Sequence, residues 1–324
     1  MFKASSKAIR QWSIVGQRAT AGLVINELAK SDERLIVVTA DVSSSAGLDR
    51  FKKNFPEQFL DVGIAEQNMM GVAAGLADNG FNVVTTTFAP FQSLRCCEQI
   101  KVNLAYTNLK VVMIGLASGL VNGPLGNTHC CVEDFGALRS LPNLKIISPA
   151  DGVSVACAIK SCLEQEAPCY IRLTGETNNS IVYEESYDFK IGQAINIKSG
   201  KDLTIFATGS VVHNCLLAAE RLAQHGISAS VWDMHTIKPI DHIAVRNAAL
   251  NTNLIVSVEE HNVIGGLYSA IAECLGSERH NSKLLPIGIR DEFLKPGDYG
   301  YMLRQAGLTP QRIQETIMVA LNSN

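Results

Sequence analysis

Apolar positions along this chain follow two spacings: short β-branched runs, and longer stretches in which apolar residues recur at helical intervals. The β-branched runs of the first half predict buried strands at residues 35–40, 81–87, 110–116, 144–148 and 169–173. Helical spacing between these runs predicts helices at residues 17–29, 66–79, 92–105 and 152–164. Strands that alternate with helices at this interval favour a mainly parallel sheet with helices on both faces.

A polar, acidic and aperiodic stretch at residues 176–190 interrupts this pattern, and we interpret it as a linker. After it the alternation resumes, with strands predicted at residues 203–207, 227–232 and 254–258. Helices are predicted at residues 211–225, 265–275 and 309–321. The sequence thus predicts two three-layer α/β domains, at residues 1–180 and 190–324, which suits a chain of 324 residues.

The composition of the chain narrows the classes of function that it can have. Lys and Arg number 28 against 31 Asp and Glu, so the net charge of −3 offers no basic surface for nucleic acid. Charged residues make up only 18% of the chain and hydrophobic residues 47%, which favours extensive buried surface, part of it against partner chains. Because no apolar run approaches the roughly 18 residues of a membrane span, we expect no membrane insertion.

Of the nine cysteines, four form the adjacent pairs Cys96-Cys97 and Cys130-Cys131 and five are scattered, and none shows C-x-x-C spacing or a Cys/His pattern typical of zinc sites. Their odd number and low frequency indicate reduced thiols and not a disulfide framework. The N-terminus lacks the apolar core of a signal peptide. We therefore expect a cytoplasmic protein with no metal site of its own.

The most informative stretch is DVGIAEQN, residues 61–68, in which Glu66 opens the predicted helix 66–79. A glutamate in the first turn of a helix is commonly structural, because the helix dipole stabilises it. A buried carboxylate at the same place can instead hydrogen-bond a ligand and exchange a proton with it. The residues alone leave both interpretations open. Templates for nucleotide-binding loops, hydrolase elbows and zinc proteases are absent from the sequence.

Three ordered segments carry a resemblance to a known family: DVGIAEQNMMGVAAGLADNG at residues 61–80, TTTFAPFQSLRCCEQIK at 85–101 and GNTHCCVEDFGALRSLPNLKIISPAD at 126–151. They resemble the transketolase family, most closely the separately encoded C-terminal subunit of split transketolases. The resemblance is continuous from residue 18 to 151, and the second half is similar in layout to the family's C-terminal domain. It implies a pyrimidine-binding domain for thiamine diphosphate followed by a transketolase C-terminal-like domain.

The resemblance assigns cofactor contacts to five residues. In the family, the glutamate at the position of Glu66 hydrogen-bonds N1′ of the aminopyrimidine and promotes loss of the thiazolium C2 proton, which makes it catalytic. The phenylalanines at the positions of Phe88 and Phe91 line this pyrimidine and stack on it. Arg95 is expected to tie the pocket together, and the aspartate at the position of Asp41 lies close to the cofactor. Taken alone, the two phenylalanines are more typical of a core, Arg95 is equally compatible with a solvated or ion-paired position, and Asp41 with a turn or a helix cap.

Three residues are implied to contact the substrate. His129 matches the family's catalytic histidine in its G-x-T-H context, where an imidazole exchanges a proton with the oxygen that gains charge during C–C cleavage. Arg18 and Ser45 match an arginine and a serine that contact the substrate phosphate. These matches imply a small sugar or a sugar phosphate as substrate.

At three positions where the family contacts the substrate, this chain has a different residue. The acidic residue before the Thr-His pair is Leu125 here, within Gly-Pro-Leu-Gly. The arginine that commonly grips the sugar phosphate is Gly175, and a phosphate-binding histidine is Ala117. Because loss of a bidentate arginine weakens phosphate binding, we expect a specialised sugar pathway and not the ordinary pentose phosphates.

The chain also lacks one half of a thiamine site. Thiamine enzymes hold the diphosphate through Mg²⁺ with Gly-Asp-Gly and a downstream Asn in a separate domain, whereas Gly297-Asp298-Tyr299-Gly300 has no such context here. The resemblance therefore implies an N-terminal transketolase subunit as partner, which ligates Mg²⁺ and the diphosphate in an α2β2 heterotetramer. Together the subunits would transfer a two-carbon ketol unit from a ketose or ketose phosphate to an aldehyde.

Other functions share this architecture. The β component of a 2-oxo acid dehydrogenase has the same two domains, and a regulatory subunit could keep the fold without catalysis. GIAEQNMMGVAAGLA and SLPNLKIISPAD favour transketolase over the dehydrogenase, and the presence of Glu66, Phe91 and His129 argues against a regulatory subunit. A deoxyxylulose-phosphate synthase is a further candidate, although that family normally carries both halves of the site in one chain.

Overall fold

Two sheets organise the protein, and the computed structural model describes its residues 4–276 and 279–322. The first sheet contains the strands β1 (Leu35–Thr39), β2 (Phe59–Asp61), β3 (Asn82–Phe88), β4 (Val111–Leu116), β5 (Lys145–Ile147) and β6 (Cys169–Arg172). Each is parallel to its neighbours in the order β5-β6-β4-β3-β1-β2. Their carboxyl ends therefore share one edge of the sheet, the edge at which open α/β sheets bind ligands.

The second half of the chain contributes the strands β7 (Ile195–Lys198), β8 (Leu203–Ala207), β9 (Ala229–Asp233), β10 (Thr236–Lys238), β11 (Leu254–Asn262) and β12 (Lys283–Ile289). Five of them form a second sheet in the order β12-β11-β8-β9-β7, parallel except where β7 pairs with β9. The remaining strand, β10, pairs antiparallel with β5 and completes the first sheet. The two halves of the chain therefore share a sheet.

Helices cover the faces of both sheets. Those of the first half are α1 (Ser6–Leu28), α2 (Asp49–Asn54), α3 (Glu66–Asp78), α4 (Ala89–Gln92), α5 (Cys97–Gln99), α6 (Asp134–Arg139) and α7 (Gly152–Leu163). Those of the second half are α8 (Val211–Ala223), α9 (His242–Asn251), α10 (Leu267–Leu275), α11 (Tyr299–Gln305) and α12 (Pro310–Asn322). In the part of the chain that the structure describes, no helix combines the length and the apolar composition needed to cross a membrane.

The apolar core is continuous between the two halves of the chain. Buried side chains of β1, β3 and β4 pack against α1 and α7 on one face of the first sheet and against α3 on the other. Phe135 of α6 and Ile146 of β5 belong to the same apolar cluster as Ile237 of β10 and Leu267 of α10. The junction between the halves is therefore a packed apolar interior and not a flexible hinge.

The predicted fold of two α/β domains with mainly parallel sheets is confirmed, whereas the helix predicted at residues 92–105 is wrong. The chain leaves α4 after Gln92, and the backbone N–H of Arg95 donates to the carbonyl of Pro90 at 3.1 Å, one residue further back than in an α-helix. A π-helical segment, Ile100–Ala105, then follows α5. The periodicity also missed short or edge elements, namely α2, α6, α9, α11, β2, β7, β10 and β12.

Candidate functional site

Glu66 is a buried carboxylate at the carboxyl edge of the first sheet. β2 ends at Asp61, the chain turns through Gly63 with φ 74°, and α3 begins at Glu66. Oδ1 of Asp61 accepts hydrogen bonds from the backbone N–H groups of Asp41 at 2.9 Å and Gly63 at 3.0 Å, which fixes the turn. Glu66 is only 5% exposed. Asp61 is a supporting residue that the sequence reasoning missed, because its role depends on a contact between two strands.

Only one face of α3 is buried. Met69, Met70 and Ala73 pack into the core, whereas Gly71 and Gly75 have no atom within 4 Å of the position that a Cβ would take. The outer face of this small-residue helix is therefore not buried. That face is open at these glycines within the described residues of this chain.

Arg95 holds Glu66 and covers an aromatic ring. Its Nη1 donates to Oε1 of Glu66 at 2.8 Å, and its guanidinium carbon lies 4.0 Å from the centre of the Phe91 ring. Gln67 fixes this position, since its Nε2 donates to the carbonyl of Arg95 at 3.2 Å. Oε2 of Glu66 has no hydrogen-bond partner among residues 4–276 and 279–322. The break after α4 thus supplies a cation that was not visible from the sequence around Glu66.

Three rings meet edge to face beside this ion pair. The ring centres of Phe91 and His129 are 5.4 Å apart, those of Phe88 and His129 6.4 Å, and those of Phe88 and Phe91 6.5 Å. β3 carries Phe88 at its carboxyl end, and α4 carries Phe91 one turn later. We call Glu66, Arg95, Phe91, Phe88 and His129 the Glu66 cluster. It joins a carboxylate, flat apolar faces and an imidazole at one edge of the sheet.

His129 belongs to a loop, residues 117–131, that leaves the carboxyl end of β4. Backbone hydrogen bonds of 2.7 and 2.9 Å between Gly119 and Cys131 close the base of this loop. The hydroxyl of Thr128 lies 3.0 Å from Nδ1 of His129, and Nε2 has no hydrogen-bond partner among the described residues. The loop therefore leaves one imidazole nitrogen available to a ligand.

The three positions that depart from the family adopt conformations of their own. Ala117 is fully buried with φ 49°, a conformation that costs energy for a residue with a side chain. Leu125 is 58% exposed in the middle of the His129 loop. Gly175 has φ 76°, and a Cβ there would lie 2.5 Å from Nδ2 of Asn179. A longer side chain at position 175 would therefore clash unless its surroundings moved.

Asp41, Arg18 and Ser45 lie outside the contacts of the Glu66 cluster. Asp41 follows β1, is exposed and has φ 57°. A Cβ on Gly47 would lie 2.9 Å from Cα of Ala19, so a close helix–loop contact brings the segments of Arg18 and Ser45 together. Among the described residues, no hydrogen bond or ring contact joins any of the three to the cluster. Their functional roles remain predictions.

A buried ion pair that the sequence reasoning missed lies beneath the His129 loop. Nε of Arg172 donates to both oxygens of Asp134 at 3.0 and 2.9 Å, and the hydroxyl of Tyr170 donates to Oδ2 of Asp134 at 2.7 Å. Nη2 of Arg172 donates to the carbonyls of Cys131 at 3.0 Å and Glu260 at 2.8 Å. Burial opposes the positive charge, but the carboxylates of Asp134 and Glu260 outweigh it and raise the pKa of Arg172. The guanidinium is therefore charged and ties the two halves of the chain together.

A parallel sheet with a buried glutamate, two phenylalanines and a histidine at its carboxyl edge is the architecture of a pyrimidine-binding domain in thiamine-dependent enzymes. Comparison with known families agrees with this. Residues 15–178 match the transketolase pyrimidine-binding domain, and residues 192–313 match the transketolase C-terminal domain. Within the described residues, no three His, Cys, Asp or Glu side chains are grouped so as to hold a metal ion.

Similar proteins are named as transketolase subunits. The chain is 39% identical over 287 residues to the 6-deoxy-6-sulfo-D-fructose transketolase subunit SqwH of Clostridium sp. strain MSTE9, covering 89% of this chain and 88% of the relative. It is 35% identical over 292 residues to an apulose-4-phosphate transketolase subunit of Phocaeicola vulgatus, covering 90% of this chain and 93% of the relative. A solved structure described as a split-gene transketolase, inactive β4 tetramer, matches with a TM-score of 0.85 at 36% identity, covering 95% of this chain and 98% of that one.

The chain belongs to the transketolase family, which is thiamine-dependent. The predicted family and the predicted order of its two α/β domain types are confirmed. These relatives do not favour the 2-oxo acid dehydrogenase alternative.

Proposed function

We propose that this chain is the pyrimidine-binding subunit of a two-subunit transketolase, which transfers a two-carbon ketol unit from a ketose or ketose phosphate to an aldehyde. The observation that carries the proposal is the Glu66 cluster, in which Arg95 joins a carboxylate that is 5% exposed to a group of two phenylalanines and an imidazole. Thiamine diphosphate, when bound, supplies a carbon nucleophile that accepts the ketol unit. The chain's own residues bind, orient and protonate around it.

The residues of the cluster fit an aminopyrimidine ring. Arg95 uses Oε1 of Glu66, so Oε2 is available to share a proton with a ring nitrogen. Because Glu66 is buried, a proton held between Oε2 and that nitrogen is not readily lost to water. Phe91 and Phe88 provide flat apolar faces on which an aromatic ring stacks. Arg95 keeps the carboxylate in one orientation, and its own stacking on Phe91 shields one face of that ring.

His129 is proposed to move a proton at the substrate. Its Nε2 is unpaired among the described residues, while Thr128 lies at hydrogen-bond distance from Nδ1. An imidazole so held can donate to the substrate oxygen as it gains negative charge and recover the proton afterwards. Phe88 and Phe91 pack against the imidazole edge to face and so limit the positions that its side chain can take.

Diphosphate and Mg²⁺ are proposed to be held by an N-terminal partner subunit, in an α2β2 heterotetramer. Asp298, in the Gly-Asp-Tyr-Gly segment, caps α11 by accepting the backbone N–H of Tyr301 at 2.8 Å, which is a structural role. Near the cluster, Ile64 is 78% exposed, and the outer face of α3 is open at Gly71 and Gly75. Such apolar, small-residue surface supports a partner chain next to the site. Nine cysteines outside any disulfide support a cytoplasmic enzyme.

The substrate is proposed to be a sugar of a specialised pathway with an anionic end. Arg18 has no hydrogen-bond or ion-pair partner among the described residues, and the contact between Gly47 and Ala19 places it near the Ser45 segment. A guanidinium that makes no hydrogen bond or ion pair here, although Glu176 interacts with it electrostatically, suits a phosphate or a sulfonate. A relative named for a sulfo-sugar supports this range of substrates.

The test combines this chain with a partner that carries a diphosphate-binding domain. We expect thiamine-dependent ketol transfer, together with exchange of the cofactor's C2 proton for deuterium in NMR. Glu66→Gln should abolish both while assembly is preserved, because an amide cannot carry the shared proton. Glu98→Gln is the matched control, since Glu98 is exposed and its hydrogen-bond partner in the described chain is the neighbouring Gln99.

Three results would contradict the proposal. Undiminished C2 exchange in Glu66→Gln would remove the role of the carboxylate. Release of CO₂ from a 2-oxo acid without ketol transfer would instead indicate the dehydrogenase component. Failure of the complex to bind thiamine diphosphate in calorimetry would indicate a regulatory subunit.

A further inference from the structure

A buried glutamate of the second half of the chain reaches the loop that carries His129. Glu260, in β11, is 1% exposed, and its Oε1 accepts the backbone N–H of Leu120 at 2.7 Å. A Cβ on Gly119 would lie 2.3 Å from the same oxygen, so the carboxylate lies directly against the loop backbone. Gly119 has φ 69°, a conformation and a contact that glycine alone tolerates well. The start of the His129 loop is thus shaped around Glu260.

The second oxygen of Glu260 holds a segment that packs on the far part of the loop. Tyr299 donates its hydroxyl hydrogen to Oε2 at 2.6 Å, and the hydroxyl of Ser210 lies 3.3 Å from the same oxygen. Just before Tyr299, the N–H of Gly297 donates to the carbonyl of Gly123 at 3.3 Å. One carboxylate therefore contacts the loop directly and also fixes the chain segment on which the loop rests.

The other end of the loop, at Cys131, is linked through Arg172 to the backbone carbonyl of Glu260. Nη2 of Arg172 donates to the carbonyls of both Cys131 and Glu260. Cys131 in turn exchanges two backbone hydrogen bonds with Gly119. Both ends of the loop are consequently held by hydrogen bonds that involve Glu260 or its partner Arg172, and His129 lies between these two ends.

We propose that Glu260 is a positioning residue that holds the His129 imidazole against Phe91 and so sets its place in the reaction. The inference rests on the proposed function, because it assigns the purpose of the grip to His129. Glu260 lies in the half of the chain that matches the transketolase C-terminal domain, and no hydrogen bond among the described residues joins it to the Glu66 cluster. Its effect is therefore expected on proton transfer at the substrate and not on cofactor binding. A displacement of about 1 Å in a reacting group typically costs on the order of 100-fold in rate.

The first test measures the loop itself, in the complex with the partner, by hydrogen exchange and mass spectrometry. Glu260→Ala should speed exchange of the amides of residues 119–131 by about tenfold or more, because it removes the acceptor of Leu120. Glu259→Ala is the matched control: Glu259 is an equally buried neighbour, but its oxygens accept the N–H groups of Leu267 and Tyr268 at the start of α10. Its effect should stay at that helix. Equal acceleration of residues 119–131 in both variants would overturn the proposal.

The second test is a double-mutant cycle in the same complex, with ketol transfer and thiamine diphosphate affinity as readouts. Glu260→Ala should lower kcat by about 10- to 100-fold while the Kd for thiamine diphosphate changes by less than about twofold. In a His129→Ala background the same substitution should cost less than about threefold, because the group it positions is gone. Glu260→Gln should recover part of kcat, since its amide oxygen can still accept from Leu120.

Each outcome separates the positioning role from its alternatives. Additive losses in the cycle, or a loss of cofactor affinity that matches the loss of kcat, would mean that Glu260 serves only general stability. If Glu260→Ala does not fold, Glu260→Gln in the wild-type and His129→Ala backgrounds carries the same criterion. If the wild-type complex binds thiamine diphosphate without ketol transfer, the proposed function fails. The hydrogen-exchange arm then still decides whether Glu260 holds the loop.

Discussion

His261 makes the junction between the two halves of the chain sensitive to acid. Its Nδ1 lies 2.6 Å from the carbonyl of Asn262 and must donate to it, so Nε2 is free to accept the N–H of Phe135 at 3.1 Å. The imidazole also stacks on the ring of Phe135 with centres 4.8 Å apart. Burial lowers the pKa of His261 to about 4. Protonation of Nε2 would remove the acceptor of the Phe135 N–H, so the junction requires a neutral imidazole.

The stability that the protein loses on acidification follows from the difference between the folded and the ordinary pKa of His261. The ordinary value is 6.5 and the folded value about 4, so the native state binds fewer protons between these pH values than the unfolded chain. The contribution to stability is complete above pH 6.5 and is lost as the pH falls through 6.5 toward 4. At about 1.4 kcal/mol per pH unit for one proton, the loss is about 3 kcal/mol.

The charged groups around His261 shift its pKa in opposite directions. From the first half, Asp134 lies 3.7 Å from Nε2 and raises the pKa of His261, while Arg172 lowers it. On the same strand, Oε2 of Glu259 lies 3.7 Å from Nδ1. Burial raises the pKa of Glu259 from 4.5 to about 7. As the pH falls from 7 toward 4.5, the contribution of Glu259 to stability therefore increases, whereas that of His261 decreases. A comparison of variants is therefore more informative than the pH profile of the wild type alone.

The assay is urea unfolding of wild type and His261→Gln at several pH values between 7.5 and 4.5, followed by circular dichroism. The Gln amide oxygen can accept from Phe135 and does not titrate. We expect wild type to lose about 2 to 3 kcal/mol more than the variant across this range. His225→Gln, at an exposed position, is the control and should follow the wild-type profile. Parallel profiles of wild type and His261→Gln would refute the reasoning, and Glu259→Gln checks the contribution of the neighbouring glutamate.

Three further predictions follow from single contacts. Gly119→Ala should destabilise the protein by about 2 kcal/mol more than Gly226→Ala in urea unfolding, because both glycines have positive φ but only Gly119 meets a carboxylate within 2.3 Å; equal losses would contradict this. Phe91→Leu should weaken binding of thiamine diphosphate to the complex by roughly fivefold in calorimetry, since an aromatic pair contributes about 1 kcal/mol beyond its area, and Phe55→Leu should leave binding unchanged. Asp233→Asn should become more stable relative to wild type as the pH rises from 5 to 8, because burial raises the pKa of Asp233 from 3.8 to about 8, and in this range the wild type loses stability since the folded carboxyl keeps a proton that the unfolded chain releases; a constant difference would disprove it.

The sequence predicted the scaffold well because the scaffold repeats a simple pattern. Alternating β-branched runs and helices yield parallel strands whose carboxyl ends meet, and this places the segments of Glu66, Phe88 and His129 at one edge. The break after Gln92 was missed because it depends on which carbonyl the Arg95 N–H selects. Because of this break, Arg95 is the cation that pairs with Glu66.

The supports of the site could not be predicted from local patterns. Leu120 and Glu260 are 140 residues apart in the chain, and Arg172 and Glu260 are 88 apart. A buried charge is costly unless several partners converge on it, and such convergence arises only when both halves are folded together. Nothing in the spacing of these residues distinguishes them from ordinary surface charges.

The small strand β10 has a consequence for how the chain can be divided. β5 would be the open border of the first sheet, with Ile146 and Ile147 in line to pair with any extended chain. β10 occupies that border, and the N–H of Ser148 adds a hydrogen bond to the carbonyl of His235 at 2.8 Å. A fragment that stopped before residue 236 would expose a ready template for aggregation. Stepwise synthesis therefore leaves this border of the first sheet unpaired until nearly three quarters of the polypeptide has been made.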